Sequence, residues 1–200
     1  GHEVTIYNRT VARATRWKKQ HGGKVARTPR EAAKGAEMVF CCVGNDDDLR
    51  SVVLGKDGAF AGMSKGTVFI DNTTASADVA RELYVTAKEK DFGFIDAPVS
   101  GGQAGAENGA LTVMCGGIQK DFKRAKPVID CYAQSCVLLG KAGSGQLAKM
   151  VNQLCIAGAV QGLAEGLNFG LRAGLDMEKV LAVISKGAAQ SWQMENRGTT

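Results

Sequence analysis

Short apolar runs alternate along this chain with longer stretches whose apolar residues recur at helical spacing. Val4-Thr5-Ile6-Tyr7 is β-branched and aromatic and predicts a strand. Residues 11–20 predict a helix with Thr10 available as its N-cap. Pro29 opens a short helix to residue 34 that Thr28 can cap, because proline is tolerated in a first turn. Residues 38–43 form an unbroken apolar run, as expected of a strand covered on both faces. Residues 46–54 read as a helix, residues 67–70 as a strand, and residues 77–90 as a helix with Ser76 as N-cap.

The rhythm then changes. Phe92-Gly93-Phe94-Ile95-Asp96 predicts a strand, followed by a glycine-rich loop over residues 98–109. Strands are predicted at 111–115 and 136–139, with a helix at 122–132 between them. Such alternation implies an α/β domain: a doubly wound, mostly parallel sheet with helices on both faces. After Gly140 the strand signals stop. Gly143-Ser144-Gly145 punctuates the chain, and residues 146–171 are helical in pattern, without proline. Asp176 then caps a further helix through Ile184. The predicted organisation is an α/β domain over 1–141 and the start of an all-helical domain over 142–200, entered by one long helix.

A net charge of +5 is spread without any Lys/Arg block, which argues against nucleic acid and suits anionic small molecules. The six cysteines sit mostly in apolar runs such as Val39-Phe40-Cys41-Cys42-Val43. None forms a C-x-x-C pair and no histidine lies near them, so no metal site is expected. They read as small core hydrophobes of a reducing, cytoplasmic protein. No uninterrupted apolar run reaches the ~18 residues that cross a bilayer, so no membrane partner is expected. No signal peptide is visible. The chain opens at Gly1-His2-Glu3-Val4, in the middle of a structural unit, which leaves an organellar targeting segment open.

Ligands of open α/β sheets bind at the carboxyl ends of the strands. After the first strand stand Asn8-Arg9-Thr10, where NAD-binding folds usually hold an acid for the ribose hydroxyls. An arginine there suits the 2′-phosphate of NADP, or else is a solvated residue beside a helix cap; the local sequence leaves both open. Gly44, after Val43, lets a ligand approach the backbone closely, or begins a turn into the next helix. Asp71-Asn72-Thr73-Thr74 is a polar patch at a strand end, or a cap. In Asp96-Ala97-Pro98-Val99-Ser100-Gly101-Gly102, the Ser100 hydroxyl and the unhindered N–H groups beside it form a nest suited to a carboxylate, with a plain flexible loop as the alternative. In the long helix, Lys149 and Asn152 are spaced i, i+3 and share a face. A lysine buried in a cleft loses hydration and becomes a usable acid or base, whereas most helix lysines merely lay their stem over the core.

Taken together, the Asp96–Gly102 segment and Gly143-Ser144-Gly145-Gln146 leading into Lys149-Met150-Val151-Asn152 resemble the 3-hydroxyisobutyrate dehydrogenase (β-hydroxyacid dehydrogenase) family. The resemblance covers essentially the whole chain and implies a Rossmann-type sheet whose first strand and glycine-rich phosphate-binding turn precede Gly1. It implies hydride transfer between NADP (or NAD) and a small 3-hydroxy acid or semialdehyde, with Lys149 as the catalytic acid/base. Ser100, Gly101 and Gly102 would hold the substrate carboxylate, and Asn152 would bond the substrate or fix the lysine. Val43, Gly44 and Thr74 match positions that touch the dinucleotide, and Asn8-Arg9-Thr10 resembles the NADP-preferring version. Many relatives carry two asparagines where this chain has Asn152-Gln153, which suggests an altered substrate preference.

Two rival readings remain. A 6-phosphogluconate dehydrogenase shares the serine-glycine and lysine segments but has a His-Asn pair after its lysine. A non-catalytic dinucleotide-binding module on the same fold would lack the lysine, as would an imine-reducing relative. The helix over 146–171, rich in Ala, Gly and Leu, is expected to be buried nearly all round. An incomplete helical domain cannot bury it alone, so a homo-oligomer of the full-length protein is expected.

Overall fold

The computed structural model describes residues 2–198, which divide into two compact units, 2–149 and 150–198. In the first unit, strand β1 (Thr5–Ile6), helix α1 (Val11–His21), strand β2 (Lys24–Val25) and helix α2 (Pro29–Ala33) come first. Strand β3 (Met38–Cys41), helix α3 (Asp46–Leu54), strand β4 (Val68–Asp71), helix α4 (Ala77–Glu89) and strand β5 (Gly93–Asp96) follow. Strand β6 (Val99–Ser100), helix α5 (Gly102–Glu107), strand β7 (Leu111–Gly117), helix α6 (Gln119–Ile129) and strand β8 (Ala133–Gly140) complete the sheet region. Helix α7 (Ser144–Arg172) leads into the second unit, with helices α8 (Met177–Ile184) and α9 (Trp192–Arg197).

β3, β4 and β5 pair in parallel, in a register that sets Cys41, Asp71 and Asp96 side by side at their carboxyl ends. β7 runs antiparallel to β5 and β6 and parallel to β8, so the sheet is mixed. β1 and β2 form a separate parallel pair.

The period-two alternation of the central strands explains the two layers of helix. Phe69 and Phe94 point to one face, where Leu49, Val53, Val79 and Leu83 of α3 and α4 cover them. Val68, Ile70 and Ile95 point to the other, under Phe122, Ala125 and Ile129 of α6. Phe69 packs edge-on against Phe60 at 5.3 Å and stacks with Phe94 at 6.1 Å.

Caps behave largely as their residue types dictate. Thr28, Ser76 and Asp176 each accept the N–H three residues on, starting α2, α4 and α8. Thr10 does not: its hydroxyl makes no cap bond, because the Asn8 Oδ1 turns the chain by accepting the Thr10 N–H at 2.8 Å.

Several expectations are corrected. β3 is not covered on both faces; it is the edge strand of its sheet, and Phe40 is 39% exposed. The stretch over 98–109 is not a plain loop but holds β6 and α5. The short strand β2 and helix α9 carry too few residues to show a period. Cys42, Cys131 and Cys155 are exposed and so are not core hydrophobes.

In this chain α7 is not buried all round: Leu154 is 75% and Phe169 72% exposed, and among the described residues nothing lies within 4 Å of a Cβ placed at Gly158, Gly162 or Gly166. By length and composition alone α7 could also cross a bilayer, since polar residues such as Asn152 and Gln153 interrupt its apolar run without lowering the average enough. Core helices of globular proteins meet the same criterion.

Within the second unit, a Cβ at Gly170 would meet the Met177 sulfur at 2.5 Å, so this glycine lets the start of α8 fold back onto α7. Met194 of α9 is buried.

The aromatic stack should dominate the stability of the first unit. Phe69→Ala is expected to lower the free energy of unfolding by about 3–5 kcal/mol, the range for emptying a buried aromatic site. Urea denaturation should show this as a lower midpoint at unchanged slope.

Candidate active site

Loops leaving the carboxyl ends of β3, β4 and β5 are tied to one another. The Val43 N–H donates to Thr73 Oγ1 at 3.1 Å. Asn72 Nδ2 donates to the Ala97 carbonyl at 2.7 Å. The Asp46 carboxylate at the start of α3 accepts both the Ser76 N–H and the Ser76 hydroxyl. Each bond pairs a part-buried backbone or hydroxyl group, so the three loops are linked to one another.

Five of the six candidate cofactor residues, Asn8, Arg9, Thr10, Val43 and Gly44, line a cavity of about 1350 Å³. Both β1 and β3 border it. Thr74 is not among its lining residues; it is exposed beside the buried Thr73. The Arg9 side chain is 80% exposed and lies 3.4 Å from Asp48 Oδ1. Exposed ion pairs of this kind are worth at most about 1 kcal/mol, too little to hold the guanidinium against a dianionic phosphate. A Cβ at Gly44 would lie 2.9 Å from Asp48 Oδ2, so a larger residue would crowd the loop bordering the cavity.

Ser100 ends β6, opposite Thr112, and is half-buried; among the described residues its hydroxyl has no hydrogen-bond partner. Gly101 and Gly102 follow with φ of 134° and 62°, where a side chain would be strained. That conformation turns the chain from β6 into α5. Neither this segment nor Lys149 lines the large cavity.

Lys149 lies in the second turn of α7 and is only 7% exposed. Among the described residues its ammonium has no hydrogen-bond or ion-pair partner. Burial therefore holds it below the usual lysine range, since desolvation disfavours the charged form. The half-buried Asn152 donates its amide to Gln153 Oε1 at 3.0 Å.

Three buried polar residues near the site, Asp71, Asp96 and Gln146, stood in motifs quoted from the sequence but were given no role of their own there. A signal for the two acids was present, because β4 and β5 both end in Phe-Ile-Asp and the acid closes an otherwise apolar strand. Gln146 closes the Gly143-Ser144-Gly145-Gln146 motif, but its role is distinguished only by its tertiary partners.

Asp71 Oδ1 accepts the Thr73 N–H, while Oδ2 is buried without a partner. Burial chiefly pushes its pKa up to about 7, against the hydrogen bonds from Thr73, and the neighbouring Asp96 and Asp46 carboxylates push the same way. Asp96 is likewise raised by burial, against the N–H groups that bond it.

Comparison with known proteins now bears on these features. Residues 1–140 match the family model of the NAD binding domain of 6-phosphogluconate dehydrogenase. Residues 143–200 match that of the NAD-binding domain of NADP-dependent 3-hydroxyisobutyrate dehydrogenase. The chain belongs to the 3-hydroxyisobutyrate dehydrogenase family. A relative called an uncharacterized oxidoreductase, from Shewanella frigidimarina, is 64% identical over 200 residues, the whole of this chain and 69% of that protein. A probable 3-hydroxyisobutyrate dehydrogenase-like mitochondrial protein of Arabidopsis thaliana is 41% identical, over 96% of this chain and 63% of its own length. A solved Mycobacterium tuberculosis 3-hydroxyisobutyrate dehydrogenase with L-serine superposes with a TM-score of 0.89 at 30% identity. That match covers 100% of this chain and 67% of that one. The family accounts for the α/β sheet with its following helical segment, and makes this chain part of an NAD(P)-binding oxidoreductase.

The buried Asp71 predicts a pH dependence of stability. Its folded pKa lies above its unfolded value of 3.8, so the folded state holds the proton longer. Stability should be greatest below about pH 4 as far as this group is concerned, and fall as pH rises towards 7, by about 1.4 kcal/mol per pKa unit at most. Asp71→Asn should abolish that loss and melt above the parent protein at pH 8; equal melting temperatures at pH 8 would refute the assignment.

Proposed function

We propose that the full-length protein transfers a hydride between NADP(H) and a small 3-hydroxy acid or its semialdehyde, with Lys149 as general acid/base. The observation that carries this reading is the burial of Lys149 without a counter-charge. The family relationship supports the same reaction class, but this chain spans only 63% of the Arabidopsis relative, so the activity is proposed for the whole protein.

In this reading the Ser100 hydroxyl and the N–H groups of Gly101 and Gly102 bind the substrate carboxylate and orient the reacting carbon. Asn152, one turn beyond Lys149, bonds the substrate or restrains the lysine. When bound, the nicotinamide supplies or accepts the hydride. Lys149 gives its proton to the developing alkoxide in reduction and takes it back in oxidation. A lowered lysine pKa favours both roles, because the best acid/base has a pKa near the working pH. Arg9, with Asn8 and Thr10, faces the ribose 2′-phosphate; Val43, Gly44 and Thr74 border the dinucleotide. The exposed apolar face of α7 favours a homo-oligomer. The free cysteines favour a reducing compartment such as the cytoplasm.

Two measurements test the assignment. Lys149→Ala in the full-length protein should cut kcat by about 10²–10⁴-fold with NADPH affinity nearly unchanged. Lys149→Arg should not rescue, because a guanidinium does not release its proton near neutral pH. A folded Lys149→Ala protein that keeps more than about a tenth of the parental kcat would overturn the lysine's role.

The second measurement concerns the cofactor. Arg9→Asp should narrow or invert the preference for NADPH over NADH, through loss of a charge-assisted contact worth on the order of 1.5–3 kcal/mol. An unchanged ratio of kcat/KM for the two cofactors would remove Arg9 from the phosphate site.

A further inference from the structure

The first turn of α7 is fastened by two buried side chains that none of the binding roles above uses. Asp96, at the end of β5, accepts the Gly143 N–H on Oδ1 at 2.8 Å and the Gln146 N–H on Oδ2 at 3.0 Å. Gln146 itself is fully buried. Its Oε1 accepts the Ala75 N–H at 3.0 Å and its Nε2 donates to the Thr73 carbonyl at 2.7 Å. These two bonds bracket Thr74, the candidate cofactor residue of the loop after β4. A Cβ at Gly145 would lie 2.3 Å from the Met114 carbonyl and 2.8 Å from that of Asp96, so the helix start is pressed against the sheet with no room to shift.

Lys149 stands at i+3 from Gln146, on the same side of the helix. The height of Lys149 above the loop carrying Thr74 is therefore set by one amide that bonds both backbone neighbours of that threonine. Packing alone does not call for an amide. Burying it costs desolvation that a methionine of similar volume would avoid, and its return is directional geometry. We infer that Gln146, backed by Asp96, is a positioning residue that holds the lysine-bearing turn of α7 at a fixed distance from the cofactor loop. This rests on the function proposed above, in which Lys149 must meet the oxygen of the carbonyl whose carbon exchanges the hydride.

Gln146→Met and the milder Gln146→Asn test this in the full-length protein. Misplacing a reacting group by about 1 Å can cost about 10²-fold in rate. Both variants should lose about 10- to 100-fold in kcat per folded molecule, while the dissociation constant for NADPH, read by fluorescence, changes less than about threefold. In the free protein the Ala75 amide should exchange with deuterium faster than in the parent, which reads the clasp without any turnover.

A fall in melting temperature with kcat per folded molecule kept within about twofold would overturn the inference, since the residue would then serve stability alone. So would failure of both variants to fold, an unchanged Ala75 exchange rate, or a loss of NADPH affinity in step with kcat. Failure of the underlying reading is separate: it would show as full activity in Lys149→Ala, whatever Gln146 does.

Discussion

The site depends on burying the first turn of a helix against the carboxyl ends of two parallel strands. A helix start carries N–H groups with no intrahelical partner, and burying them bare is costly. Asp96 answers two of them, at Gly143 and Gln146. The positive end of the helix in turn favours the carboxylate. Gln146 then carries the fastening across to the loop after β4. Because the strand register aligns Asp96 with Asp71 and Asp71 with Cys41, the helix start, the loops and the strand ends form one connected arrangement.

That arrangement concentrates groups whose charge is disfavoured. Among the described residues, Asp71 keeps one oxygen without a partner and Lys149 has no counter-ion. In an ordinary core such groups would be replaced by apolar residues of similar size or would pair with each other. Asp71 responds by holding its proton to about pH 7. Lys149 responds by a lowered pKa. Perturbed groups of this kind gather at functional sites because chemistry at neutral pH needs them, although structural networks also produce them. In the reading proposed above, Lys149 is the chemical group, while Asp96 and Gln146 hold it in place.

Much of the fold was legible because its elements carry strong periods. The alternation in β4 and β5 directs Phe69 and Phe94 to one layer and Ile70 and Ile95 to the other, and that is written in their order along the chain. Caps at Thr28, Ser76 and Asp176 follow from residue type, since a short side-chain oxygen reaches the N–H three residues on. The misses share a cause. β2, β6 and α5 are too short to show a period, and α5 is built on glycines at positive φ whose use depends on what surrounds them. Phe40 on β3 is exposed despite its apolar run, because cover over a strand's face is supplied by distant elements that no local pattern encodes.

For the proposed site, the sequence offered Ser100, Gly101, Gly102, Lys149 and Asn152 as candidates, through the resemblance of two motifs to a known family. It also raised Arg9 as a phosphate-facing cation. It did not decide whether Lys149 is buried or solvated, since a lysine in a half-apolar helix fits both. Only the tertiary structure settled that, by packing the start of α7 against the sheet and leaving the Lys149 residue 7% exposed, with no ion-pair partner among the described residues. Nor did sequence give Gln146 a role, because its partners at Thr73 and Ala75 are more than 70 positions away along the chain. Local periodicity reports which face of an element is apolar; which distant backbone group a buried amide meets is decided only when the elements pack.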